Sequence, residues 1–416
     1  GAYISAVDAD PEAPSQDALV ALDRLYRRQM QWPDLIRVLE RRAGLSQEPD
    51  EQVKFKLEIA NLYDSYLDDS AHAIAAYRDV VTIDSRNLAA LRALESLYEK
   101  TGQSEAYLDV LENQLDASGT DAERISLYQR MAIAWEERFN KADRAWECLE
   151  KVLVLDERSQ GTYRELERLY RQERRWESLV DTYRRHVAAT GDPSVRVELY
   201  GAMGQVYEDE LKEFDRAIDE YNNVLSFDGD DHTALAALGR LYEKIEAWDR
   251  AIEIESRLVE ITDDGRTRVD LNFRIGKILE ERQQDAEAAE QRYVTALSLD
   301  PAHVPSMQAL TEMYKKRGDW MKAANMMVRA EAHAGNPLEK IKLLAEAGDI
   351  FHKKLHDEGR AIESFARVIE LDPEHVGSGE PLAEMYFAEQ RYQELEPILD
   401  MLIRKAGKKS NNELHA

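Results

Sequence analysis

Apolar residues along this chain recur at three- and four-residue spacing, the mark of amphipathic helices, and the largest of them also recur on a much longer count. A tyrosine returns every 72 residues, at Tyr26, Tyr98, Tyr170, Tyr242, Tyr314 and Tyr386, with no insertion or deletion. Between these lies a second column, Tyr63, Trp135, Tyr207, Leu279 and Phe351, so that the spacing alternates between 37 and 35 residues. Three positions before the second column stands a small residue (Ala60, Ala132, Gly204, Gly276, Gly348), and ten after it an alanine (Ala73, Ala145, Ala217, Ala289, Ala361). Four residues beyond that alanine comes a large apolar side chain: Tyr77, Leu149, Tyr221, Tyr293 or Phe365. Each such unit closes on an aspartate, Asp84, Asp156, Asp228, Asp300 or Asp372, followed by proline at Pro301 and Pro373.

These columns predict antiparallel helix pairs. The glycine and alanine positions fall where two helix axes approach too closely for a larger side chain, and Asp-Pro stops the second helix because proline lacks the N–H and its predecessor avoids the α region. Eleven hairpins are predicted, at about 16–49, 50–86, 87–120, 121–158, 159–192, 193–230, 231–265, 266–302, 303–336, 337–375 and 376–409. They are expected to form one domain over 1–416. Residues 1–15, with Asp10-Pro11, read as the tail of a preceding repeat, and 410–416 as the start of a following one, so a fragment of a longer array is expected. A 72-residue step of two unlike hairpins makes the pair the stacking layer.

The pattern resembles the tetratricopeptide repeat, a helical hairpin of 34 residues with small residues at two crossing positions, aromatics beside them and a closing proline. Gly204 to Asp228, GQVYEDELKEFDRAIDEYNNVLSFD, is a good copy with one extra residue in its turn. The tyrosine-tryptophan hairpins depart from the family: Glu95 and Glu167 occupy a small-residue position, and alanine is kept only at Ala251 and Ala323, so looser helix crossings are expected there. The resemblance implies an all-α, right-handed solenoid of antiparallel hairpins. Exact spacing over long two-repeat blocks also resembles the very large tetratricopeptide proteins of bacteria. The column Trp32, Ser104, Trp176, Trp248, Trp320, Tyr392 is assigned to packing between the two helices of a hairpin.

Composition fits a packed array. Lys and Arg number 55 against 82 Asp and Glu, a net charge of −27, with 44% hydrophobic residues and no Pro/Gly/Ser-rich linker. The acidic balance disfavours nucleic acid and anionic lipid surfaces. No apolar run nears the length of a membrane span and no signal segment is evident, so membrane insertion is not expected and the cytoplasm is the default compartment.

Chemistry-bearing motifs are missing: there is no GxxxxGK[ST], GxGxxG, HExxH, CxxC, GxSxG or EF-hand loop. No enzyme activity, cofactor or metal is predicted. His352 and His356, four apart, have no third ligand and flanking lysines, which makes them a solvated helix end. Gly377 to Gly379 read as a turn before a helix. The single cysteine, Cys148, shares a column with Ala76, Glu220, Arg292 and Ser364 and is expected at least partly exposed. Lys405, Lys408 and Lys409 suit a helix C-terminus. Met307, Met313, Met321, Met326 and Met327 concentrate in one hairpin, where core filling outweighs a binding role.

In tetratricopeptide arrays the first helix of each hairpin lines a concave groove, and the resemblance implies that its outward residues contact a partner. By position these are Arg24, Arg27, Arg92, Arg164, Arg168, Arg171 and Arg240, with Ser96. Glu136, Glu208, Asp209, Glu280 and Glu281 fall between them, giving alternating basic and acidic rungs. The arginines suit carboxylates through bidentate contacts, or else pair with the acidic rungs. The lysine and asparagine clamp of chaperone-binding members is not expected, because Leu57 stands where lysine is wanted beside Asn61. The expected function is a non-catalytic scaffold binding a protein or peptide, with end-to-end self-association left open. The alternatives are an RNA-binding helical-repeat scaffold and the substrate-recruiting arm of an enzyme.

Overall fold

The computed structural model describes residues 15–414 of the backbone; Asp10-Pro11 and the side chains of Lys408 and Lys409 lie outside the described residues. The described residues form 22 α-helices and no strand, and consecutive helices pack on one another from Gln16 to Ala189 and again from Phe214 to Leu414. They fall into two compact units, Gly1–Leu199 and Tyr200–Ala416.

Two kinds of hairpin alternate, and their turns differ by one residue; the longer steps come from the longer leading helices, Pro49 to Tyr63 against Leu88 to Tyr98. In the tyrosine hairpins the column carbonyl accepts the N–H five residues on: Gln103 to Tyr98 at 3.0 Å, Ala247 to Tyr242 at 2.8 Å, Asp319 to Tyr314 at 2.8 Å. In the other kind the bond spans six residues: Asp69 to Tyr63 at 2.9 Å, Glu213 to Tyr207 at 3.0 Å, Asp357 to Phe351 at 2.9 Å. The extra residue is taken up as a π turn ending the leading helix, at Leu62–Tyr66, Tyr207–Leu211, Leu279–Gln283 and Phe351–Leu355. Both kinds reverse through one left-handed residue. In the tyrosine hairpins this is glycine only at Gly102 and Gly318; Met30, Arg174, Glu246 and Gln390 adopt the same positive φ elsewhere.

The closing aspartate has the same task in all five units, with or without proline. Its Oδ1 accepts the N–H two residues on, from Arg86, Arg158, Asp230, Ala302 and Glu374, at 2.9–3.2 Å. These Asx turns end the trailing helix and aim the chain into the next leading helix.

Side-chain size sets how closely the two helices pack. A Cβ on Gly204 would lie 2.9 Å from the Tyr221 ring, and one on Gly348 would lie 2.6 Å from Phe365. Ala217, Ala289 and Ala361 are fully buried, and Met307, Met313 and Met327 are core residues.

Four positions differ from the sequence reading. Cys148 is buried, as are Glu220 and Ser364 of its column, because this face of the trailing helix turns inward; burial pushes the thiol up to about 11. Gly377 to Gly379 lie inside the first turn of the helix Val376–Ala388, where a Cβ on Gly379 would meet Met401 at 2.6 Å. The tryptophan column reaches beyond its own hairpin: Tyr66 lies 4.4 Å from Trp32, Arg282 lies 4.9 Å from Trp248 and Lys354 lies 5.2 Å from Trp320. Each of these partners belongs to the next π turn.

The fourth concerns the acids at the helix crossings. Glu95 accepts from Gln114 at 2.8 Å and pairs with Arg130 of the next hairpin. Glu167 accepts from the buried Tyr183 hydroxyl at 2.7 Å and from Arg171 at 3.1 Å. Asp23, also buried, pairs with Arg27 and Arg42. At these crossings paired charge stands where the family has a small residue, and pairing tolerates burial where a bare charge would not.

Candidate partner-binding face

The outward side of the leading helices carries a ladder of ion pairs between consecutive hairpins. In the first unit Arg27 pairs with Glu58, Lys100 with Asp68 at 2.8 Å, and Arg138 with Glu99 at 3.3 Å. Arg168 grips both oxygens of Glu136 at 2.7 and 2.6 Å, which holds that carboxyl below its usual range. In the second unit Arg240 and Lys244 both reach the buried Glu208 at 3.4 Å, and Lys316 reaches Glu280 at 3.3 Å. The basic and acidic rungs thus engage one another.

Of the seven arginines expected to meet a partner, Arg27, Arg168 and Arg240 are tied into these pairs, and Arg171 pairs with Glu167 of its own helix. Arg24, Arg92 and Arg164 form no ion pair among the described residues and all three are exposed or half-buried. Ile133, on the same side of the helix Asp121–Glu137, is 54% exposed.

Beside this row the first unit carries a cleft repeated at each 72-residue step, between the start of a tyrosine hairpin, the end of its trailing helix and the following chain. Its equivalent walls are Gln16, Leu88 and Gln160; Arg42, Gln114 and His186; and Ser46, Ser118 and Thr190. The volumes rise along the chain, about 110, 310 and 470 Å3. Sequence reasoning missed this cleft, because its walls are columns of mixed chemistry whose common place shows only once the helices are paired.

A buried acid was missed as well. Glu255 is 1% exposed, in a column filled elsewhere by Leu39, Leu111, Tyr183 and Met327, and Gly239 on the facing helix leaves room for it. Arg274 lies 2.5 Å from it and also pairs with Glu243. Burial pushes the Glu255 carboxyl up to about 8; Arg274 opposes the shift and the Glu243 carboxyl adds to it. Among the described residues no cluster of three His, Cys, Asp or Glu is placed to hold a metal, and no helix is long and apolar enough to cross a membrane.

The family profile described as tetratricopeptide repeat matches residues 18–53, 162–197 and 234–268, each match covering a tyrosine hairpin and the start of the next helix. Three of the chain's hairpins match the tetratricopeptide repeat. A search of curated proteins finds no match. Among solved structures, the chain is similar to the tetratricopeptide protein YrrB, described as having an unusual peptide-binding site, at 17% identity and a TM-score of 0.31, covering 43% of this chain and 88% of that one. It is also similar to the C-terminal part of a tetratricopeptide protein from Cytophaga hutchinsonii (14% identity, TM-score 0.37, 59% of this chain and 95% of that one). A third likeness is to PilF of Pseudomonas aeruginosa (15% identity, TM-score 0.30, 64% and 99%). The small crossing residues Gly204, Gly276 and Gly348 and the rings facing them form one packing unit.

Proposed function

We propose that this tetratricopeptide array is a non-catalytic scaffold holding a protein or peptide partner against its leading-helix face. The carrying observation is the contrast along that face: most of its charges are occupied by neighbours within the array, whereas Arg24, Arg92, Arg164 and the exposed Ile133 are left to solvent. Exposed arginines and an exposed apolar side chain on the leading helices are the composition of a protein contact. The carboxylates interleaved on the same face and the net charge of −27 work against a phosphate backbone.

The test compares proteins retained by the immobilised chain with those retained by Ile133→Glu/Arg92→Ser, and by Val154→Ser on the trailing helix Ala142–Leu155, whose side chain is 79% exposed. A nuclease-resistant partner lost from the first variant and kept by the second is expected. Equal retention by both would remove the assignment to this face.

A further inference from the structure

The three equivalent clefts of the first unit share a shape but differ in charge. In the first, Arg42 is neutralised by the buried Asp23 and stacked 4.4 Å above Phe55, and Glu51 lines the wall. In the second, Arg92 and Arg130 share the lining with Glu123, and Arg130 is already paired with Glu95. In the third the lining holds Arg158 and Arg196 and no carboxylate at all.

The third cleft is also where donors lack acceptors. The Arg158 guanidinium has no hydrogen bond or ion pair among the described residues; its backbone N–H alone is taken, by Asp156 at 3.0 Å. Arg196 bonds the Thr190 carbonyl through Nε at 3.2 Å and Nη2 at 2.9 Å, which fixes its plane while leaving Nη1 open. Nε2 of His186 is buried with no hydrogen-bond partner, its ring stacked 4.4 Å from Tyr163. Two guanidiniums and a fixed imidazole around about 470 Å3, on a chain of net charge −27, form a local basic recess in an acidic protein.

We infer that the cleft of Arg158, His186 and Arg196 takes carboxylate side chains of an acidic segment in the partner. The inference rests on the scaffold reading above and adds to it the chemistry of the bound segment. Guanidinium matches carboxylate in a two-point geometry, and a fixed Arg196 loses little freedom on binding. Entry of a carboxylate also gives the open arginine N–H groups the acceptor they lack.

The probe is a fluorescein-labelled peptide of six glutamates flanked by glycine and serine, titrated by anisotropy into the full chain at low salt, beside the same peptide with six glutamines. The glutamate peptide is expected to bind, the glutamine peptide to bind at least ten-fold more weakly, and Arg158→Ser to weaken the glutamate peptide about five- to ten-fold. The Arg158 side chain has no partner among the described residues, so that variant should fold normally. Arg144→Ser, at an exposed arginine of a trailing helix, is the control and should change nothing.

No binding, equal binding of both peptides, or an unchanged Arg158→Ser titration would overturn the inference. So would competition by inorganic phosphate as effective as competition by unlabelled peptide, since the cleft would then be a small-anion site. A partner still captured in an Ile133-dependent way while the glutamate peptide fails would sink this inference alone; loss of both would sink the scaffold reading as well.

Discussion

A methyl group on Gly276 would stand 2.6 Å from Cε1 of Tyr293, a ring with no exposed surface whose hydroxyl donates to Glu280 at 3.1 Å. The equivalent pair one step earlier is Gly204 with Tyr221 and one step later Gly348 with Phe365, whereas Ala132 faces Leu149. The crossing residue is glycine opposite an aromatic ring in three of the five pairs; alanine stands opposite leucine at Ala132 and opposite a ring at Ala60, which faces Tyr77.

Gly276→Ala should therefore destabilise the array by roughly 1–3 kcal/mol, as overpacking does, despite the better helix propensity of alanine. Tyr293→Leu added to it should recover part of the loss, reproducing the Ala132–Leu149 pair. Thermal melts of the two single variants and the double variant decide this; strictly additive losses would show that the two residues do not compete for the same space.

The reversing residues give a change of opposite sign. Glu246 has φ of 60° at the position where Gly102 and Gly318 stand in equivalent hairpins. A left-handed non-glycine residue costs about 1–2 kcal/mol, and glycine gives back about 0.4–1 kcal/mol of chain entropy, so Glu246→Gly should stabilise by up to about 1 kcal/mol. A lower melting temperature would contradict this.

Glu255 should make stability depend on pH. Its folded pKa, about 8, lies above its ordinary value of 4.5, so between these limits the folded state holds a proton that the unfolded chain has released. Stability then falls as pH rises through that window and levels off above it. Glu255→Met, taking the residue that Met327 supplies in the same column, should flatten that slope and raise the melting temperature most at pH 8–9. Parallel melting curves for the two proteins from pH 5 to 9 would refute the assignment.

Cys148 should be slow to react. A buried thiol pushed up to about 11 has little thiolate at neutral pH, so labelling by a water-soluble thiol reagent should proceed at the rate of local opening and become rapid in denaturant. Fast stoichiometric labelling of the native chain would contradict its burial.

How much could be read from the chain follows from where each column points. The small crossing residues and the aromatics facing them were legible because both sides of that contact lie within one hairpin, at fixed spacing. The closing aspartate was legible as a stop, but proline hid its more general task, the Asx turn made equally by Asp84 and Asp300. Cys148, Glu255 and the acids Glu95 and Glu167 escaped a single-column reading because their partners stand on other helices. The Glu95 pair with Arg130 becomes evident only when one hairpin is laid against the next. The clefts required three helix ends at once.

The alternation of five- and six-residue closing bonds bears on how such a chain can change length. A lone hairpin cannot be spliced out cleanly: the next leading helix would bring the wrong reversal, and acids such as Glu95 would lose the arginine that stands one hairpin on. Excising 72 residues returns every turn to one of its own kind. Gain or loss in this lineage should therefore come in double steps, with the pair of hairpins as the unit of inheritance.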